Sequence, residues 1–224
     1  MTAEEYVPGG TQLDPEADRA RLFAAALARL VRLAPAVEVV APLTPAPPWV
    51  GWGHRGDGVW PWPDDVDADL NARPGPDWLD DLSARVREPL LATRLEPVVG
   101  HGDFESQNVR WAGDEVRAVH DWDSAVALPE PALAGAAAAV FTETGRSAVR
   151  ATVAESARFL ESYVEARGAR WGRAEWEVAW AAGLWVRAFN AKKAVVSGAG
   201  RQPLDQLADQ AETRLRLMDD GLAG

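Results

Sequence analysis

Val98-Val99-Gly100-His101-Gly102-Asp103-Phe104-Glu105-Ser106-Gln107-Asn108, with its sequel Val119-His120-Asp121-Trp122-Asp123, is the stretch on which the reading of this chain turns. Short apolar runs bound two polar loops that hold an aspartate, an asparagine and a second aspartate, an arrangement in which a rigid scaffold presents chemistry. Pro97-Val98-Val99 reads as a short strand leading into the first loop. Between the loops, Val109-Arg110-Trp111, the turn Ala112-Gly113-Asp114-Glu115 and the run Val116-Arg117-Ala118-Val119 predict a small β-hairpin. A hairpin folds back on itself, so Asn108 and Asp121, at its two outer ends, are expected side by side.

Asp103 and Asn108 stand in the pattern H-x-D-x-x-x-x-N, and Asp121 follows one hairpin later. Phosphoryl transfer wants this set: an aspartate to orient the attacking hydroxyl or accept its proton, and an amide plus a second carboxylate to hold Mg2+. Positioning and charge neutralisation carry most of such a reaction, and hard oxygen ligands suit Mg2+. The same residues also admit a purely structural reading, with Asp103 and Asn108 as turn formers and Asp121 as a cap.

Around this centre the chain is mostly helical by pattern. Asp14-Pro15-Glu16 reads as a helix start with Asp14 as cap, followed by Leu22, Phe23, Ala26, Leu27, Leu30 and Val31 at helical spacing. Asp77 is read as the cap of a second helix through Trp78, Leu79, Leu82 and Val86, interrupted or ended by Pro89. Ala132 to Phe141, Ser147 to Arg167, Ala174 to Val196 and Leu204 to Met218 follow as further helices, punctuated by Gly145, Gly168, Gly198 and Gly200. Trp176, Trp180, Leu184 and Trp185 form an aromatic stripe expected to pack in the core.

Residues 42–76 differ in kind, rich in Pro, Gly, Asp and Trp, with Trp49, Trp52, Trp60 and Trp62 and little periodicity. So long a loop is usually functional or disordered, and four tryptophans argue against disorder. It reads either as a lid facing a substrate or as a packing segment laid over the core. Its acidic cluster, Asp64-Asp65, Asp67 and Asp69, could bind an amine. Asp123 and Glu105, flanking the central loops, could draw in a cation; His120 could ligate a metal but reads first as a strand-end residue, and His54 could contact substrate but reads first as a solvated loop residue.

The bulk numbers bound the function. A chain of 224 residues can bury a sizeable core, and a net charge of -11 argues against nucleic acid or an anionic membrane as the main partner. The acidity suits a small cationic substrate, and it is equally an ordinary solubility device. There is no cysteine, hence neither a disulfide nor a thiolate metal site. The N-terminus has no signal-like run and no stretch has the apolar length of a membrane span, so a cytoplasmic protein is expected.

The segment His101-Gly102-Asp103 to Asn108, with His120-Asp121-Trp122-Asp123, resembles the Brenner motif and metal-binding aspartate of the aminoglycoside phosphotransferase and choline kinase-like family. Glu5-Tyr6-Val7-Pro8-Gly9 resembles the family's hinge between lobes, and Trp185 to Lys193 resembles a helix of its C-terminal lobe. The resemblance covers nearly the whole chain and implies a protein-kinase-like C-terminal lobe, mainly α with a small β-hairpin (α+β), the N-terminal lobe missing. Within this single lobe of residues 1–224, 1–13 would be hinge-like, 42–76 the Trp/Pro-rich loop, 97–123 the catalytic and metal loops, and 131–219 a helical subdomain.

Carried over by position, the resemblance implies Asp103 as catalytic base, His101 as support for its loop, Asn108 and Asp121 as Mg2+ ligands, and Tyr6 and Val7 as hinge backbone for the adenine of ATP. It implies transfer of the ATP γ-phosphate to a hydroxyl of a small molecule, and the chain's acidity would suit a cationic one. The family's N-terminal lobe, with its phosphate-covering loop and lysine, would precede Tyr6, where five residues stand, and neither Lys192 nor Lys193 can replace that lysine by position. Weak or no kinase activity is therefore expected of the isolated chain. Where the family carries a D-P-x-x-D-L segment, this chain reads Ala127-Leu128-Pro129-Glu130-Pro131-Ala132-Leu133-Ala134, without the aspartate expected to brace the catalytic loop. Two other readings stay open: a kinase-like binding protein without turnover, and a metal-dependent phosphohydrolase using His101, Asp103, His120 and Asp121.

Overall fold

A computed structural model describes residues 7–13, 18–40, 42–43, 45–73, 75–144 and 150–224. Asp14 to Glu16 and Tyr6 lie outside them. The first helix, α1, runs Arg19–Leu33, and Asp18 rather than Asp14 caps it by accepting from the Arg21 N–H. Leu22, Phe23, Ala26, Leu27 and Val31 are buried, as their spacing predicts. The second, α2, runs Asp77–Ala92; Pro76 occupies the cap position, so Asp77 is the first helical residue and makes no capping bond. Pro89 does not end α2. The helix continues to Ala92, losing one backbone donor in its last turn, where orphan groups already concentrate.

Two antiparallel ribbons follow. Strand β1, Pro97–His101, pairs with β4, Ala125–Pro129, and between them the hairpin β2, Val109–Ala112, pairs with β3, Glu115–Val119. Gly113 turns the hairpin with φ of 62°, a left-handed conformation that glycine adopts without strain. Val109 lies opposite Val119, and a register shift at Arg110/Trp111 puts Trp111 against Val116. Thr11 bridges the outer side of β2 by exchanging backbone bonds of 3.0 and 2.8 Å with Trp111. Strand β4 was not legible in advance; it is a short apolar run whose partner lies far back in the chain.

Four helices complete the fold: α3, Glu130–Val140; α4, Val153–Arg167; α5, Arg173–Ser197; and α6, Gln202–Asp220. The α4 helix starts at a capping box, in which the Thr152 side chain and Glu155 satisfy each other's backbone donors. Apart from Glu130, α3 is buried all round, as an alanine-rich helix without a polar face must be. It crosses α5 so closely that a Cβ on Gly135 would overlap the Ala179 carbonyl, and one on Gly183 would come within 2.9 Å of the Gly135 oxygen. Trp180, Leu184 and Trp185 of the aromatic stripe are buried in the core, while Trp176 is half-buried.

Much of the Trp-rich segment packs onto the core. Val50, Trp52, Trp60 and Leu70 join the core, while Trp62 is 60 % exposed. Arg87 of α2 holds the loop by its backbone, donating to the carbonyls of Trp52, Gly58 and His54 at 2.5, 3.1 and 3.2 Å. Lys192 reaches up from α5, fully buried, to Asp80, which also accepts from the Trp60 indole at 2.8 Å. Among the described residues no helix is long and apolar enough to cross a membrane.

Candidate active site

The β2–β3 hairpin does what its position requires. The His120 N–H donates to the Asn108 carbonyl at 2.8 Å, closing the ladder one step beyond Val109 and Val119, so Asn108 and Asp121 emerge next to each other. Strand β1 delivers the other loop, and the Gly102 N–H donates to Ser124 O at 2.8 Å, tying it to the turn after Asp121. Asp121 itself is left-handed, with φ of 68° and ψ of 47°, and it alone among the described non-glycine residues has a positive φ. Strain of this kind persists only where the surroundings enforce it, and it collects at functional sites. Here Ser124 enforces it, donating its N–H to the Asp121 carbonyl at 3.1 Å and its hydroxyl to Oδ2 at 3.3 Å.

Asp103 and Asn108 are joined directly. The Asn108 amide nitrogen donates to the Asp103 backbone carbonyl and to Asp103 Oδ2, both at 2.9 Å. Both amide hydrogens are thereby engaged, which leaves Oδ1 as the atom with which Asn108 can meet a cation. His101 is buried, with Nε2 bonded to the His120 carbonyl at 2.8 Å and Nδ1 accepting from the Asp103 N–H at 3.2 Å. Its ring thus links the two loops, and neither ring nitrogen is left for a metal. Trp122 packs edge-on against it with centroids 5.3 Å apart.

The bracing that the Ala127–Ala134 segment cannot supply comes from elsewhere. The Trp49 indole donates to the Gly102 carbonyl at 2.9 Å, fastening the Trp-rich segment to the catalytic loop. On the other side Gln107 N–H donates to the Glu143 carbonyl at 3.1 Å, and Phe104 is buried against Phe23 with centroids 5.8 Å apart. Ala134 stands where the bracing aspartate would, and Glu130, four residues earlier, binds Arg167 through both oxygens, at 2.7 and 3.1 Å, and accepts from the Tyr163 hydroxyl.

Asp103 opens onto a cleft of about 490 Å3 between the catalytic loop, the Trp-rich segment and the facing ends of α5 and α6. Asp64, Asp65, Asp103, Glu105 and Glu143 line it, against Arg150 and Lys193. Lys193 pairs with Asp65 at 2.6 Å and Arg150 pairs with Glu143, so the remaining acids leave the cleft negative. Burial raises the Asp103 carboxyl above the ordinary range, against the lowering effect of the Asn108 bond. Glu105, buried beside it, is pushed to about 8, by burial first and by the Asp103 charge second. Asp121 is pushed to about 6, by its hydrogen bond with Asp123, then by burial and the Asp123 and Asp103 charges.

Sequence reasoning placed Glu105 and Asp123 beside the site, of which Glu105 lines the cleft; of the acidic cluster read as an amine binder, Asp64 and Asp65 line the cleft and Asp67 and Asp69 do not. It missed Trp49 as a brace and Glu143 and Arg150 as lining, because each comes from a distant element and carries no local signal. His54 turns inward, its Nε2 bonded to the Val59 carbonyl at 3.0 Å, and Asp69 serves the Asn71 turn. Of the two hinge residues, Tyr6 lies outside the described residues, and Val7 is half-buried just before Pro8, whose carbonyl accepts from Arg117 at 3.2 Å.

Residues 1–178 match the family model described as phosphotransferase enzyme family. The chain belongs to that family. Among solved structures, a choline/ethanolamine kinase family protein from Mesorhizobium loti is similar over 96 % of this chain and 67 % of its own, with a TM-score of 0.55 and 17 % identity. Identity this low speaks for the shared fold, a kinase-like α+β lobe, and not for a shared substrate. A comparison with curated proteins returns no match. As a phosphotransferase family member, the chain carries Asp103 on the cleft lining, Asn108 bonded to it, and the left-handed Asp121 beside them at the end of the hairpin.

Proposed function

We propose that this chain supplies the acceptor and metal side of an ATP- and Mg2+-dependent phosphotransferase acting on a hydroxyl of a small, cationic molecule. The observation that carries this reading is the hydrogen-bonded Asp103–Asn108 pair, set beside Asp121 by the hairpin, with Asp103 on the lining of an acid-lined cleft. The donor set fits Mg2+. Asn108 Oδ1 and the Asp121 carboxylate are hard oxygens, and two protein ligands suffice where phosphate oxygens and water complete the shell. Among the described residues there is no cluster of three or more His, Cys, Asp or Glu arranged to hold a metal, as a dedicated hydrolase centre would need.

When bound, Mg2+ and ATP would supply charge neutralisation and the transferable phosphoryl group. The chain's own residues do the rest. Asp103 orients the acceptor hydroxyl; as the hydroxyl oxygen forms its bond to the γ-phosphorus and the bond to the ADP oxygen breaks, the hydroxyl proton passes to the Asp103 carboxylate. Burial raises the basicity of Asp103, which favours that transfer, while the Asn108 bond fixes its orientation. The negative cleft wall would hold the ammonium of an amino alcohol or amino sugar. Tyr6 and Val7 would offer backbone to the adenine.

Phosphate transfer from ATP to a panel of amino alcohols and amino sugars tests this, measured on the wild-type chain and on Asp103→Asn. Transfer that requires Asp103 supports the reading. Ligand binding without any Asp103-dependent transfer would make the chain a kinase-like binding protein instead.

A further inference from the structure

Behind the cleft wall three arginines gather around one stretch of backbone. Arg187 of α5, 2 % exposed, donates through Nη1 to the Ala151 carbonyl at 2.9 Å. Arg214 of α6, 1 % exposed, donates through Nη2 to the same carbonyl at 2.9 Å, and its other acceptors are the neutral Ser156 hydroxyl and Gln210 amide oxygen. Arg150, adjacent in sequence to Ala151, pairs with Glu143 and lines the cleft.

The charges do not balance. Glu143 answers Arg150, but no carboxylate answers Arg187 among the described residues, and residues 145–149, Gly-Arg-Ser-Ala-Val, contain no acid. Burial, then the neighbouring Arg150 charge, push the Arg187 guanidinium down to about 10. Burying an unpaired charge is strongly unfavourable unless something in the structure compensates it.

The atoms left over say what would compensate. Arg187 Nε and Nη2 are buried without a hydrogen-bond partner among the described residues. These are the two donors of one edge of the guanidinium, parallel and spaced to meet two oxygens of a carboxylate, phosphate or sulfate. The Nη1 bond to Ala151 holds the plane of the group, so the edge is oriented in advance. Val186, the residue before Arg187, lines the cleft together with Arg150, so Arg187 stands directly behind the cleft wall.

We propose that Arg187, with Arg150 beside it, forms a binding site for a small oxyanion at the back of the cleft. The oxyanion is either an inorganic ion from solution or a carboxylate carried by the molecule in the cleft. This site is independent of phosphate transfer, and its test needs no nucleotide.

The test is the thermal stability of the whole chain at constant ionic strength in sodium sulfate, phosphate, acetate and chloride, backed by calorimetric titration of the same anions. The expected result is a saturable rise with the oxyanions, roughly 5–10 °C at a hundredfold excess over Kd, and no comparable rise with chloride. Arg187→Met abolishes it, and Arg187→Lys, which keeps the charge but loses the fork, weakens binding at least tenfold. A hydroxyamino acid compared with its amide separates the sources. If the acid binds through Arg187 and competes with sulfate, the anion is the acceptor's own; if sulfate binds and the acid does not compete, it is an inorganic ion. Absence of any oxyanion effect on the wild-type chain overturns the proposal even if neither variant folds. So does an equal effect of chloride, or an undiminished effect in Arg187→Met.

Discussion

Trp49→Phe removes one hydrogen bond from the catalytic loop and little else. The indole Nε1 donates to the Gly102 carbonyl at 2.9 Å, and Gly102 is buried, one residue before Asp103. A net hydrogen bond contributes about 1 kcal/mol, and a buried carbonyl left without its donor costs about 1–3 kcal/mol. Phenylalanine keeps an aromatic ring at the position, so the loss should centre near 2 kcal/mol, which lowers Tm by roughly 4–8 °C in a chain of this size. Urea denaturation followed by circular dichroism reads it as a lower midpoint with unchanged slope. Trp62→Phe is the control, since Trp62 is 60 % exposed and such changes usually stay within about 0.5 kcal/mol. Because the bond positions the residue next to the proposed proton acceptor, kcat of the proposed transfer should fall about tenfold with KM little changed. A Trp49→Phe chain as stable and as active as the Trp62→Phe control would show that the Trp-rich segment does not brace the loop.

Gly135→Ala drives a methyl group into the Ala179 carbonyl where α3 crosses α5, and should cost about 1–3 kcal/mol by calorimetry, whereas Gly53→Ala, whose new Cβ meets nothing, should leave Tm nearly unchanged. Glu105 ties stability to pH. Its carboxyl lies at about 8 in the folded chain, against an ordinary value of 4.5, so the folded state binds more protons than the unfolded state in between, and stability falls as pH rises through that window. Glu105→Gln should flatten this slope, gaining on the wild-type chain above pH 8 but not near pH 4.5, when unfolding is followed across the range. Asp123→Asn removes the first cause that raises Asp121, so carboxyl NMR should find the Asp121 midpoint below the value of about 6 expected in the wild-type chain.

What the sequence disclosed was local. The hairpin that sets Asn108 beside Asp121 declares itself through two short β runs and a Gly113 turn, and the helices through their apolar spacing and caps. Pro89 misled because a proline in the last turn of a helix removes a donor the helix can spare. The β1–β4 ribbon, the Trp49 brace and the Lys192–Asp80–Trp60 contact were invisible for a common reason. Each joins residues far apart in the chain, and no short-range pattern encodes its partner. The same holds for Arg187, which looks like any polar residue on a helix until its neighbours Arg150 and Arg214 are in place. The left-handed backbone of Asp121 is likewise set by the turn through Ser124, not by any preference of aspartate alone.

Asp103 is proposed to receive the acceptor's proton while Asn108 and Asp121 hold the metal. Transfer of labelled phosphate from ATP to an amino alcohol or amino sugar, with Mg2+, tests this directly on the wild-type chain, Asp103→Asn, Asn108→Leu and Asp121→Asn. Loss of transfer in Asp103→Asn at every Mg2+ concentration, with partial recovery of the other two at high Mg2+, is the predicted result; transfer that persists in Asp103→Asn would contradict it.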